Sequence, residues 1–179
     1  MALTVNGARS LKPGPGLGTH SHPSITFKEA ASQTFKKGCP LVFTSGGATV
    51  EEDTSDPAGI VGIAEEDATG TTNNPVRVVP AIPGLLFDGI LGNGDLSDYT
   101  LLAADVGDVY GLVRDGTNLG WFVDKQDTAV ATVRVRVVGL KDPAGTVNGR
   151  VYFVFLLGTQ DTDDQILISP TMFTHVAAA

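Results

Sequence analysis

Hydrophobic positions in this chain fall in short runs closed by glycine, proline, asparagine or aspartate, and almost none recurs at the 3.6-residue spacing of a helix. The pattern is densest over residues 35–67. There Leu41-Val42-Phe43 and Gly59-Ile60-Val61-Gly62-Ile63-Ala64 are apolar and β-branched, and Ser45-Gly46-Gly47 and Asp56-Pro57-Ala58-Gly59 supply turn residues. The pattern predicts a β-meander, with no helix between its turns. Further strands are expected at 76–82, 85–91, 109–113, 120–124, 132–138 and 150–157, and at Ile25 and Phe27, which alternate with Thr26 and Lys28. Pro80 places its strand at an edge, a bulge or a strand end, because proline has no amide to donate. Residues 29–33 allow one helical turn, and 98–103 a strand or short helix. Val50-Glu51-Glu52-Asp53 is expected to leave its strand for solvent.

On the 132–138 strand, Val133, Val135 and Val137 share one face, and Arg134 and Arg136 share the other, turned to solvent or an acidic neighbour. The unbroken apolar stretch at 150–157 is expected to be the most buried strand. The fold class that follows is all-β: a compact β-barrel or β-sandwich body over residues 25–158, carrying an extended N-terminal arm. The arm, residues 1–24, contains Lys12-Pro13-Gly14-Pro15-Gly16-Leu17-Gly18, which is expected to form neither helix nor ladder. The tail, residues 159–179, regains apolar character at Ile166, Leu167, Ile168, Met172 and Phe173, as a segment packing on the body or a neighbour would. One body of ordinary domain size accounts for the length, and two domains are not required.

Charge is unevenly spread. The net charge is −8, yet up to Val50 five basic residues (Arg9, Lys12, Lys28, Lys36, Lys37) face Glu29 alone. An acidic body argues against wide contact with a phosphate backbone, and a basic leading segment suits an acidic protein partner or a second copy. The interface candidates are therefore Arg9, Lys12 and Leu17 in the arm, Lys36 and Lys37 before the first meander strand, Trp121, Arg134 and Arg136 in the body, and Phe173 in the tail. No apolar run is long enough to cross a bilayer and no basic-then-apolar leader opens the chain, so a cytoplasmic origin and no membrane partner are expected. Cys39 is the only cysteine, which leaves no intramolecular disulfide and reads as a small buried hydrophobe.

No catalytic or metal-binding pattern is complete in the sequence. His20-Ser21-His22 has no acidic or thiol ligand beside it, and His175 is the only other histidine. The TQDTDDQ run at 159–165 lacks the glycine and closing glutamate of a calcium loop. Adjacent carboxylates such as Glu65-Glu66 point to opposite faces of a strand, so no enzyme activity and no cofactor are expected.

Three stretches together resemble a known family. Lys37-Gly38 leading into a strand, Gly62-Ile63-Ala64-Glu65 some way after it, and the Gly120-Trp121-Phe122-Val123-Asp124 strand are similar to the β-domain of bacteriophage capsid decoration (cement) proteins, over residues 25–157. The resemblance implies a homotrimer on the outer surface of an icosahedral phage head at local three-fold positions. Its partner would be the major capsid protein, with no nucleic acid and no membrane involved, and the chain would be made in the host cytoplasm. Two other classes remain open at this stage. A receptor- or carbohydrate-binding β-module of a fibre or head would present Trp121 and Tyr110 on one exposed face. A hydrolase would need a cleft holding two perturbed acids.

Overall fold

The computed structural model describes residues 11–14, 22–44, 47, 49–53, 57, 59–82, 84–94, 98–115, 120–129 and 131–156. Among them are eleven strands: β1 Lys12–Pro13, β2 Ile25–Lys28, β3 Pro40–Phe43, β4 Val50–Glu51, β5 Ile60–Ala64, β6 Pro75–Pro80, β7 Phe87–Gly92, β8 Val109–Arg114, β9 Trp121–Asp124, β10 Val135–Leu140 and β11 Arg150–Phe155. The helical content described is one 3-10 turn, Ala103–Asp105. The all-β expectation holds, and the strands divide into two sheets.

The second half of the chain forms the order β7-β11-β10-β8-β9, and a parallel pairing of Leu91 with Val123 and Gly92 with Asp124 returns β9 to β7. Those five strands close a barrel. The first half forms β2-β6-β5-β3-β4, and Glu29, just beyond β2, bridges Val50 of β4 in parallel. Numbering each half separately, both sheets run first-fifth-fourth-second-third and return to the first.

The agreement extends to single residues. Ile25 opposite Val78 through Lys28 opposite Pro75 in the first half matches Phe87 opposite Phe153 through Ile90 opposite Arg150 in the second. With those equivalences, Gly62, Ile63 and Ala64 opposite Pro80, Val79 and Val78 become Val135, Arg136 and Val137 opposite Phe155, Val154 and Phe153. Pro40–Ile63 and Leu41–Gly62 become Val109–Arg136 and Tyr110–Val135, and the closing bridge Glu29–Val50 becomes Leu91–Val123. Even the turn before the second strand repeats. Gly38 (φ 88°) donates to Ala64 O at 2.8 Å, as Gly107 (φ 101°) donates to Val137 O at 2.9 Å. Both glycines are in the left-handed region, where a Cβ is penalised. The two halves repeat one topology and one register, the second as a closed barrel and the first as a barrel whose closure is the single Glu29–Val50 bridge.

Several expectations are corrected. Residues Lys12–Pro13 do join a ladder, on the outer edge of β7. A proline at an edge loses only a donor that would have faced outward, and Gly14 N donates to Leu86 O at 2.7 Å. The most buried strand is β7, whose six residues are all buried, whereas β11 alternates. Residues 29–33 make a turn through Ser32 (φ 58°) instead of a helical turn. Glu52 turns inward, with its side chain 4 % exposed. Pro80 ends β6, one of the places expected for it.

The two interiors are packed by inward-alternating residues. In the second barrel Phe87, Phe153 and Phe155 interlock, with ring centroids 4.8–5.9 Å apart. Gly89 leaves a hole on β7 that Leu11 of the arm fills: a Cβ at Gly89 would lie 2.8 Å from Leu11 Cδ2. In the first barrel Gly62 lets β5 and β6 approach so closely that a Cβ there would stand 2.2 Å from Val79 O.

Candidate interaction surface

Of the predicted interface residues, Arg9, Leu17 and Phe173 lie outside the described residues. Lys12 is exposed on β1, opposite Asp88. Lys36 and Lys37 are exposed on the turn that contains Gly38. The Lys37 amide donates to Asp67 Oδ1 at 2.8 Å and Lys36 Nζ reaches Asp67 Oδ2 at 3.1 Å. Those two bonds, the amide first, hold the Asp67 carboxyl below the usual carboxylate range. An exposed pair of this kind contributes only about 0–1 kcal/mol.

Trp121 and Arg134 are not surface residues. Trp121 is 1 % exposed and its Nε1 donates to Glu52 Oε1 at 2.7 Å. Arg114 joins the same carboxylate through Nε at 2.9 Å and through Nη2 to Oε2 at 3.3 Å. Glu52 follows β4 of the first barrel, and Arg114 and Trp121 belong to β8 and β9 of the second. Arg134, buried rather than solvent-facing, donates from Nε to Pro57 O at 2.6 Å and from Nη1 to Ala131 O and Val133 O at 2.9 and 3.0 Å. A buried guanidinium must have its donors satisfied, and these backbone carbonyls accept from two of its nitrogens. Both residues hold one barrel to the other within the chain. Arg136 is half-buried, with Nη1 donating to Gly107 O at 3.0 Å.

Further ionisable groups are drawn into internal networks. Lys125 Nζ donates to Asp105 Oδ1 at 2.7 Å and to the Tyr110 hydroxyl, Tyr99 OH donates to Asp105 at 2.8 Å, and Tyr110 OH donates to Asp108 at 2.9 Å. Burial alone raises the Asp105 carboxyl, but Lys125, the Leu102 amide and Tyr99 outweigh it and leave it below the ordinary range. Burial disfavours the Lys125 cation, yet Asp105 and Tyr110 hold its pKa above normal. Burial also pushes the Tyr110 phenol up, and with Glu52 it pushes the Cys39 thiol up to about 12. Asp88, with Lys141 at 3.0 Å and Arg150 beside it, and Glu29, which accepts from the Thr69 amide at 2.9 Å and from Gly70, complete the set.

Chemically these groups favour fixed charge over proton transfer. Neither the thiol, the phenol nor the lysine is poised near neutrality. Burial raises Asp124, with Asp127 contributing, but Asp124 Oδ1 accepts the Gln126 amide at 2.9 Å and serves a turn. Among the described residues no group of three or more His, Cys, Asp or Glu is placed to hold a metal ion.

The surface residues that sequence reasoning missed are apolar. Ile25 and Phe43 on the first barrel are each 45 % exposed. On the second, Leu102, Val106 and Val138 are 51, 44 and 42 % exposed. Their segments are tied together: Asp105 N bonds Leu102 O at 3.1 Å, and Gly107 N bonds Val137 O at 2.9 Å. One signal was present in the sequence, since Val138 follows Val137 directly and so must face the opposite side of β10. Comparison with protein-family models and with curated proteins finds no match to this chain.

Proposed function

We propose that this chain is a structural virion protein, a capsid decoration protein that sits as a homotrimer on the outside of an icosahedral phage head and braces neighbouring copies of the major capsid protein. One observation carries the reading. One of the three stretches that carry the family resemblance, the turn at Gly38, has a counterpart at Gly107 on the other barrel, and each copy offers a different outward surface. Around Gly38 it carries Lys36 and Lys37 with Asp67 paired to Lys36, and around Gly107 it carries Leu102, Val106 and Val138 beside Asp108. Two dissimilar contact faces at equivalent places on one chain suit a protein that grips two neighbours at once. Many such contacts on one shell make modest individual affinities sufficient.

The carbohydrate-binding alternative required Trp121 and Tyr110 on an exposed face, and each is 1 % exposed. Light scattering of the purified chain, alone and with empty heads stripped of their decoration protein, tests the proposal. Trimers that load onto heads to saturation are expected. Val106→Asp with Val138→Asp should weaken loading about tenfold or more without lowering the melting temperature. A monomer that ignores heads sinks the proposal.

A further inference from the structure

The two barrels differ at one edge. On the second, the part of β7 ahead of its pairing with β9 carries β1, with Lys12 opposite Asp88 and Pro13 opposite Phe87. The equivalent edge of the first barrel is Ile25 and Thr26 of β2, ahead of the Glu29 bridge to Val50, and among the described residues no strand pairs there. The backbone of β2 is turned towards that gap. Glu29 N donates to Asn74 O on the β6 side at 2.8 Å, and Ala30 N donates to Val50 O on the other side at 3.0 Å. Peptide groups alternate along a strand, so the N–H and C=O of Thr26 face away from β6, into the open edge. The side chains agree. Ile25 is 45 % exposed where its counterpart Phe87 is 0 %, and Phe43 is 45 % exposed where its counterpart Leu112 is 7 %. Phe27 stands where the second barrel has Gly89, and it meets Phe43 edge-on with centroids 5.5 Å apart.

We propose that the β2 edge at Ile25 and Thr26 is a docking site for an extended segment of a partner protein, which adds as an antiparallel strand with a small residue facing Phe27 and a carboxylate facing Lys28. The template is β1, the strand that the equivalent edge of the second barrel already holds. Size sets the inward position. Gly89 leaves a hole that Leu11 fills, whereas Phe27 brings its own bulk, so the residue across from Phe27 must be small. Charge sets the outward position. Arg77, opposite Thr26, is paired with Glu66 at 3.6 Å, and Lys28 is exposed, so a carboxylate across the edge from Lys28 completes the outer face. A second copy of this chain is the poorer fit. Among the described residues every strand is already hydrogen-bonded into one of the two sheets and would have to leave it to be donated. A segment that is extended beforehand gives up no ladder of its own, and its main-chain bonds cover an edge that is otherwise a liability. The inference is independent of the capsid role, since any partner with such a segment meets its terms.

Two fluorescently labelled synthetic peptides test it. One has the core Glu-Gly-Ser-Val, which in the β1 register sets glutamate across from Lys28, glycine across from Phe27 and serine opposite Thr26; the other has leucine in place of the glycine. Anisotropy with the full chain should show the glycine peptide binding at least about tenfold more tightly than the leucine peptide. Bound glycine peptide should slow amide exchange at Thr26 about tenfold and leave β7 unchanged. Thr26→Pro removes an amide that β6 does not use and should weaken binding about tenfold or more. Ile25→Glu, at an exposed position, should do the same and covers a proline variant that misfolds. No binding at millimolar peptide, equal affinities for the two peptides, or binding that survives both substitutions overturns the proposal. So do dimers of the chain that Thr26→Pro dissolves, because the occupant is then a second copy.

Discussion

Asp105 is 0 % exposed and still charged, because three donors converge on it and one of them is a cation. Its folded pKa lies below its unfolded value, so the stability it contributes is complete above the ordinary carboxylate range. That stability is lost as pH falls through the range towards the folded value. Lys125→Met removes the cation and leaves the carboxylate buried, which should cost about 3–5 kcal/mol at neutral pH. In the variant, protonation of Asp105 on acidification removes the unpaired charge, so the deficit against the parent should shrink in acid. Urea unfolding of both proteins at neutral and acid pH checks this, and a deficit that ignores pH counts against it. Lys125 and Asp105 were not singled out in the sequence, since nothing local marks two groups so far apart as partners.

At the scale of elements the decisive contact is that of β1 with β7. Leu11 is 1 % exposed and occupies the space that Gly89 leaves. Leu11→Ala should lower stability by about 2–5 kcal/mol through lost contacts and a residual cavity. Adding Gly89→Ala restores part of the lost volume, so the double variant should be more stable than the two single losses sum to, by about 1 kcal/mol. Denaturant midpoints of the four proteins give the coupling, and strict additivity would show that Leu11 does not sit over Gly89. Most strand positions were legible, because apolar runs between turn residues have one economical explanation. Lys12–Pro13 was not, because a proline-glycine run excludes a central strand but leaves an edge strand open. The burial of β11 was overestimated for a related reason: an apolar run gives no information on which strands flank it.

For the whole molecule, the join between barrels rests on Glu52, which accepts from Arg114 and from Trp121. Glu52→Ala leaves a guanidinium and an indole N–H without their acceptor, a loss of about 2–3 kcal/mol. Because the loss falls on the contact between barrels, calorimetry should show one unfolding transition divide into two. A single transition at the parent temperature would mean that the join lies elsewhere. Trp121 and Arg134, expected at an interface, are buried against the other barrel of their own chain, since residue type reports a need for burial and not the identity of the covering surface.

By itself, the sequence determined the all-β class, most strand positions and the turn glycines, because these depend on neighbours along the chain and on backbone sterics. Only the tertiary structure decided that the two halves repeat one topology. Identity at equivalent positions survives at few places, among them Gly38 and Gly107, Val50 and Val123, Val76 and Val151. What is duplicated is the register, and register is set by which residues meet across a ladder. Which arginine faces water, which aspartate meets which lysine and which edge is left open follow from distant pairings of that kind, and no single stretch of sequence encodes them.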